Sequence, residues 1–276
     1  HNVLLRRFTL SVGVLANYNS ALNEGIHFYP GIDASYRIGD NVRLYGSWNR
    51  ALRMPTFTDL YYEGKTNKGN PDLKPEESEA FEVGLKYNTY FLRAHIAGFY
   101  RKGKNMIDWV KEKPEDIWES RNLTKVDNLG FETNLSLLPR ELGNERFFIR
   151  KIELGYAFIH QDKDSEGYIS NYALDYLKHK FTAQLSHSIW KGFSATWYVR
   201  WQDRAGSYTK YENLKPAYEE DYAPYCLVDV KVNWEYKGLN LYAELNNLLN
   251  STYYDLGNIP QPGIWFKAGF RYSFKY

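Results

Sequence analysis

Read two residues at a time, most of the chain separates into one apolar and one polar face. In the last segment Ile264, Phe266, Ala268, Phe270, Tyr272, Phe274 and Tyr276 share a face, while Trp265, Lys267, Gly269, Arg271, Ser273 and Lys275 share the other. Cys226, Val228, Val230, Val232 and Trp234 alternate with Leu227, Asp229, Lys231, Asn233 and Glu235, and Leu239, Leu241, Ala243 and Leu245 with Asn240, Tyr242, Glu244 and Asn246. Phe193 to Gln202, Val42 to Asn49, Phe81 to Tyr87 and Leu129 to Leu137 keep the same rhythm. About twelve such segments are predicted, most near the nine to eleven residues that a tilted strand needs to cross a bilayer. No stretch carries a helical apolar stripe, so the chain is predicted to be all-β.

The connections alternate in length. Tight turns fall at Gly39-Asp40-Asn41, Asn88-Thr89, Trp190-Lys191-Gly192 and Lys237-Gly238, with a longer one from Pro139 to Gly143. Between them lie long polar loops, Arg50 to Ser78, Lys102 to Lys125, Gln161 to Tyr176, Asp203 to Pro224 and Asn247 to Gly263. A soluble sandwich has shorter strands and no reason for this alternation. An outer-membrane barrel has short periplasmic turns, long outer loops, an apolar lipid face and a wet interior. Aromatics at strand ends (Tyr36, Trp48, Tyr87, Tyr100, Trp190, Trp201, Trp234, Tyr272 and Tyr276) suit its two interface girdles. The pattern therefore predicts a transmembrane antiparallel β-barrel.

Composition narrows the picture further. The 276 residues carry a net charge of +2 and are 17% aromatic, with 25 Tyr, 15 Phe and 8 Trp. The near balance of charge removes the simple electrostatic case for nucleic-acid binding. A mean hydropathy of −0.59 and no long apolar run exclude a transmembrane helix bundle. The lone Cys226 excludes a disulfide framework and a cysteine-built metal site.

Three motifs carry a family resemblance. Trp48-Asn49-Arg50-Ala51-Leu52-Arg53-Met54-Pro55-Thr56-Phe57-Thr58-Asp59-Leu60-Tyr61, followed by Gly69-Asn70-Pro71-Asp72-Leu73-Lys74-Pro75-Glu76, resembles a strand-to-loop passage of TonB-dependent outer-membrane receptors. Glu244-Leu245-Asn246-Asn247-Leu248-Leu249-Asn250 with Tyr253 is similar to their penultimate strand, and the aromatic ending Phe274-Lys275-Tyr276 to their last. The resemblance implies a 22-stranded barrel around a plug, of which residues 1–276 are the β-barrel domain's C-terminal portion of about twelve strands. The plug, the energy-coupling box and the N-terminal strands would then lie on another segment; a fragment closing on itself as a smaller barrel is the other possibility. An open edge in lipid leaves costly unpaired backbone groups, which favours the first.

The family implies active import of a scarce nutrient chelate with no chemical change. Loop aromatics and polar groups are where such a ligand would be gripped. The candidates are Tyr61, Tyr62, Trp118, Tyr208, Tyr211, Tyr222, Tyr253, Tyr254 and Gln261. The alternative for each tyrosine is packing against neighbouring loops or the outer headgroups. Asp255-Leu256-Gly257-Asn258-Ile259-Pro260-Gln261-Pro262-Gly263-Ile264-Trp265 looks like the last loop of cobalamin receptors, and no loop concentrates Lys and Arg. Cobalamin is thus favoured, with a ferric siderophore or haem next. Expected partners are membrane lipids, the chelate, an inner-membrane energy-coupling protein reached through the missing N-terminal region, and a surface lipoprotein; no nucleic acid and no cofactor is expected.

Other chemistries fare worse. Glu219-Glu220-Asp221 and Asp162-Asp164-Glu166 lack calcium-loop spacing and read as solvated charge. Neither His95 nor His187, both on strands, sits in a nucleophile motif, and each reads as polar filler, so no enzyme is expected. The rivals are a passive porin-like channel and a barrel that docks a surface lipoprotein.

Overall fold

The computed structural model describes residues 2–18, 25–113, 115–143, 146–164, 167–170, 176–212, 215–257 and 259–274. In chain order the elements are β1 (Asn2–Leu4), β2 (Phe8–Tyr18), β3 (Ile26–Arg37), β4 (Val42–Arg53), α1 (Phe57–Tyr61), β5 (Asn67–Lys68) and β6 (Glu76–Asn88). There follow β7 (Leu92–Lys111), β8 (Trp118–Leu137), β9 (Ile149–Asp164), β10 (Ile169–Ser170), β11 (Tyr176–Ser188) and β12 (Phe193–Ala205). The chain continues through β13 (Ser207–Glu212), β14 (Lys215–Asp221), β15 (Tyr225–Tyr236), β16 (Leu239–Asn246), β17 (Tyr254–Leu256), β18 (Ile259–Pro260) and β19 (Trp265–Tyr272). No helix among the described residues is long and apolar enough to cross a membrane. The ladder begins at β1 and ends at β19, open at both ends among the described residues.

The chain forms two compact units. The first comprises residues 1–86, 97–131 and 159–175. In it β1 to β4 pair antiparallel in chain order, β5 adds parallel to β8, and β10 adds antiparallel to β7. Apolar side chains are left uncovered on its strands; Val14 is 65% and Val83 58% exposed.

The unit differs from expectation at residues 102–125, expected to be a loop. Strands β7 and β8 continue through most of it, leaving a short connection between Lys111 and Trp118. The polar composition hides this, because the backbone ladder and a few buried residues (Trp109, Val110, Val126) hold the extension. The adjoining loop Arg50 to Ser78 packs on it. Helix α1 starts in a capping box between Thr56 and Asp59, and Ser120 Oγ donates to the Asp59 carbonyl at 2.5 Å. Glu76 receives the Arg53 guanidinium at 2.6 and 2.5 Å and the Ile107 N–H at 2.8 Å. This fork ties three segments together and holds Arg53 above its ordinary pKa, through the Glu76 bond first.

The second unit comprises residues 87–96, 132–158 and 176–276. Here β9, β11, β12, β15, β16 and β19 pair antiparallel in that order, and their registers show why the pattern of the sequence matters. Ile152, Leu185, Trp197, Val230, Leu245 and Phe266 are direct cross-strand partners, forming one apolar row across six strands. One residue along lies Lys151, Ser186, Thr196, Lys231, Glu244 and Lys267, a row wholly polar, with Lys267 bonded to Glu244 at 2.9 Å. The apolar face extends through Phe193, Trp234, Leu241 and Phe270, the last 75% exposed, so no layer of described residues covers it there. The ten steps from Cys226 to Tyr236, at about 3.4 Å each and tilted about 45°, give a band roughly 24 Å tall, close to the apolar height of outer-membrane barrels.

His187 is a correction to the polar-filler reading. It lies in register with Ala195 and Val232, on the apolar face, where its Nε2 accepts from the Trp197 indole N–H at 3.1 Å. A polar atom on that face needs such a partner, because lipid supplies none.

The polar faces carry a repeated device. A Cβ on Gly269 would lie 2.5 Å from the Tyr242 hydroxyl, so that ring lies over the glycine, and Lys231 Nζ caps the ring at 4.7 Å. In the first unit Tyr45 lies over Gly84 with Lys86 at 4.7 Å. Aromatic cover of a strand glycine lends packing to a position with no side chain of its own. The tight turns use positive φ where needed: Gly192, at +88°, would place a Cβ 2.5 Å from the Glu235 carbonyl oxygen.

Candidate functional site

The candidate residues fall into two groups, one in each unit. In the first unit, Tyr61 ends α1, is 62% exposed and tilts against Phe57 at 5.8 Å. Tyr62, the helix C-cap, is half exposed and meets Trp109 edge-on at 6.4 Å. Trp118 opens β8 beneath Lys111 Nζ, 4.6 Å from its ring centre. Beside it Arg121 donates to Tyr168 Oη at 2.6 Å and Glu119 at 2.9 Å, lining a hollow of about 220 Å³ with Val110 and Asp116. Arg121 is raised above its ordinary pKa, first by the Glu119 bond.

In the same unit Asp108 is buried. Ser170 Oγ donates to it, its Oδ1 accepts the Trp109 N–H at 2.7 Å, and Lys163 Nζ lies 3.7 Å away. Burial lowers the Lys163 pKa, opposed by Asp108. These groups lie beyond the about nine to eleven residues that β9 needs, counted from its short-turn end, to cross a bilayer. They brace the loops rather than face a ligand.

In the second unit four candidates meet. Tyr208 lies 5.0 Å from Tyr222 and 5.8 Å from Tyr254, ring centre to ring centre, and Tyr253 lies 4.6 Å from Tyr225. With Glu220 and neighbouring loop residues they enclose about 100 Å³. That is far below the roughly 300–1,000 Å³ of a small-ligand pocket, so a bulky chelate could meet only the outer edges of this cluster. The polar atoms are well matched. Glu220 Oε2 accepts from Tyr208 Oη at 2.9 Å and Lys210 Nζ at 2.7 Å; these two bonds, Lys210 first, hold its pKa below the usual carboxylate range. Burial first, then the Glu220 bond, pushes the Tyr208 phenol up.

Tyr222 is only 7% exposed, its hydroxyl accepting the Gly257 N–H at 3.0 Å and its ring 5.6 Å from the Arg204 guanidinium. Gln261 donates its backbone N–H to the Tyr253 carbonyl at 3.0 Å, and its side chain donates to the Ile259 carbonyl at 3.4 Å. Tyr211 lies farther along β13, 54% exposed.

Sequence reasoning passed over what positions this cluster. Tyr225 Oη lies between Gln202 Oε1 and Asp255 Oδ1, the latter at 2.5 Å. One phenol proton cannot serve both, so the Gln202 amide turned to present its NH₂ satisfies the set. Asn247, buried and at φ +50°, takes the Ser251 N–H at 2.9 Å and donates to the carbonyls of Ser251 and Pro262 at 2.8 and 3.2 Å. Its own N–H goes to Asp229 at 2.7 Å. Asn250 repeats the positive φ and accepts the Ile264 N–H at 3.0 Å. The pair of asparagines in Asn246-Asn247-Leu248-Leu249-Asn250 was the signal: asparagine tolerates that backbone and bonds it locally.

Among the described residues no three His, Cys, Asp or Glu side chains gather as a metal site. Glu166, Lys275 and Tyr276 lie outside the described residues, as do the side chains of Asp164 and Glu219.

An uncovered apolar band about 24 Å tall, aromatic ends and a polar reverse face are those of the wall of an outer-membrane β-barrel. Solved structures share this fold: a mutant ferric enterobactin receptor PfeA of Pseudomonas aeruginosa in complex with enterobactin (TM-score 0.76, 20% identity) and the FrpB iron transporter of Neisseria meningitidis (0.72, 16%). Each likeness covers 99% of this chain and 44% of the other. The family model described as TonB dependent receptor-like, beta-barrel matches residues 6–248, and the chain belongs to that family. Among curated proteins it is 28% identical over 134 residues to the vitamin B12 transporter BtuB of Vibrio vulnificus, covering 44% of this chain and 21% of that one. It is 26% identical over 204 residues to an iron-regulated outer membrane virulence protein of Vibrio cholerae, covering 66% and 29%. The chain thus spans under a third of these relatives.

Proposed function

We propose that residues 1–276 form one β-barrel domain, the C-terminal portion of a TonB-dependent receptor that imports a nutrient chelate without altering it. Cobalamin is the favoured ligand. The observation that carries this choice is the state of the loop cations: Arg53, Arg121 and Lys210 are each matched by a carboxylate, while Lys111 and Arg204 lie against the rings of Trp118 and Tyr222. Such loops offer flat rings and hydroxyls, which suit a large ligand of low charge better than an anionic catecholate. The BtuB relatives point the same way. A ferric chelate is the second reading, favoured by the iron-regulated relative, which matches more of the chain.

In this reading Tyr61, Tyr62, Trp118, Tyr211, Tyr253 and Tyr254 contact the ligand, Tyr208 and Tyr222 support them, and Gln261 holds the last loop. The energy-coupling protein engages a segment outside residues 1–276. The test uses the full-length receptor and equilibrium binding of cyanocobalamin. Tyr61→Ala and Tyr254→Ala should each weaken binding about tenfold, or 1.4 kcal/mol, with folding intact. Absence of tight cobalamin binding alongside capture of ferric siderophores would transfer the assignment to iron. Free ion leakage through liposomes holding the receptor would favour a passive porin instead.

A further inference from the structure

On the polar face of the second unit the cations are unevenly spread. Thr196 and its partner Ser186, both in the polar row, fix which residues of β12 and β11 share that face. Arg200 and Arg204 stand four and eight residues beyond Thr196, and Lys180 six before Ser186, so all three fall on it by the period of two. Lys180 pairs with Gln202, which lies between the two arginines on that face, and Thr182 pairs with Arg200. Three positive side chains thus gather on two neighbouring strands, at the end of β12 next to the tyrosine cluster. Arg204 meets that cluster directly, its guanidinium 5.6 Å from the Tyr222 ring centre.

The two strands bring no negative charge to this face. β11 contains no Asp or Glu, and the one acid of β12, Asp203, lies an odd number of residues from Arg200 and falls on the other side. Acids on the neighbouring elements are engaged: Glu153 of β9 with Lys151 at 2.8 Å, Asp229 of β15 with the Asn247 N–H at 2.7 Å, and Asp255 of the last loop with the Tyr225 hydroxyl at 2.5 Å. Beside the cations the wall is short and neutral, Lys180 pairing with Ala157 of β9 and Thr182 with Gly155. In a barrel this face lines the wet interior, where cations held at one level focus the field on an entering ligand.

Guanidinium forks suit phosphate oxygens, and a lysine adds a point charge. Cobalamin carries one such group: a single phosphodiester joins its corrin side to its nucleotide base, and its other polar groups are chiefly amides and hydroxyls. We propose that Arg200, Arg204 and Lys180 receive the phosphodiester of cobalamin, while the loop tyrosines meet its corrin ring. The assignment rests on the reading of the chain as part of a cobalamin receptor, and it adds the element that tells the nucleotide end of the ligand from the ring. One monoanionic group against one cation patch also agrees with loops whose own cations are matched.

The test is equilibrium binding of cyanocobalamin and of dicyanocobinamide, which lacks the phosphodiester and its base, to the full-length receptor. Wild type should bind cyanocobalamin at least about tenfold more tightly. Arg200→Gln with Arg204→Gln should weaken cyanocobalamin about tenfold or more and leave dicyanocobinamide within about twofold, which also shows that the variant is folded. Arg200→Lys, keeping the charge without the fork, should fall between wild type and Arg200→Gln. If the double variant does not fold, Lys180→Gln alone, at an exposed position, should lower the preference at least about twofold. Equal weakening of both corrinoids, or a folded variant with unchanged preference, would overturn the phosphodiester site and spare the cobalamin reading. Wild type that binds neither corrinoid would overturn both.

Discussion

Replacing Val230 by arginine places a charge in the middle of the apolar face. Val230 pairs directly with Trp197 and Leu245 and lies six residues from Tyr236 and four from Cys226. At about 3.4 Å per residue and a tilt of about 45°, these are distances of roughly 14 and 10 Å along the membrane normal. The side chain is therefore close to the midplane, where arginine on a barrel's lipid face costs about 2–4 kcal/mol. That corresponds to a fall of about 30- to 900-fold in the folding equilibrium constant. The assay is guanidinium unfolding of the full-length receptor in phospholipid vesicles, with Asn233→Arg on the opposite face as the comparison. Asn233 pairs with Tyr242 and Ser194, so a charge there meets polar neighbours and should cost under about 1 kcal/mol. Equal stability of Val230→Arg and wild type, or a larger loss in Asn233→Arg, would mean that the faces are assigned the wrong way round.

Gly269→Val should push the Tyr242 ring off its seat and cost about 1–3 kcal/mol in the same assay; adding Tyr242→Ala should remove most of that loss, and a purely additive pair would refute the packing. Asn247→Ala removes three side-chain bonds and puts alanine in a left-handed backbone, so the loop of residues 247–263 should become protease-sensitive, with a loss of about 2–4 kcal/mol. The Glu220 carboxyl has a folded pKa below its unfolded one, so its contribution is complete above about pH 4.3 and disappears as pH falls through the folded value. Amide exchange in the hairpin 207–221 should stay protected from neutral pH to about pH 5 and open below about pH 4, with Glu220→Gln abolishing the step; unchanged protection at pH 3 would refute it.

The alternation of apolar and polar residues by itself determined the strands, their faces and the placing of most short turns, because side-chain direction in a strand has a period of two and lipid enforces it. Val230, Val232 and Trp234 could be assigned to one face with no knowledge of a partner. The asparagine-rich segment before residue 251 was legible as a signature, but not as the clamp on the last loop. Residues 102–125 were misread as a loop, since no periodicity marks strands held by backbone pairing and by a distant Glu76. Only the tertiary structure decided that Tyr208, Tyr222 and Tyr254 share one cluster, that Tyr222 is buried within it, and that Arg140 and Arg150 converge on Ser188. Those contacts join residues far apart in the chain, and local pattern carries no information about which loops fold back onto which.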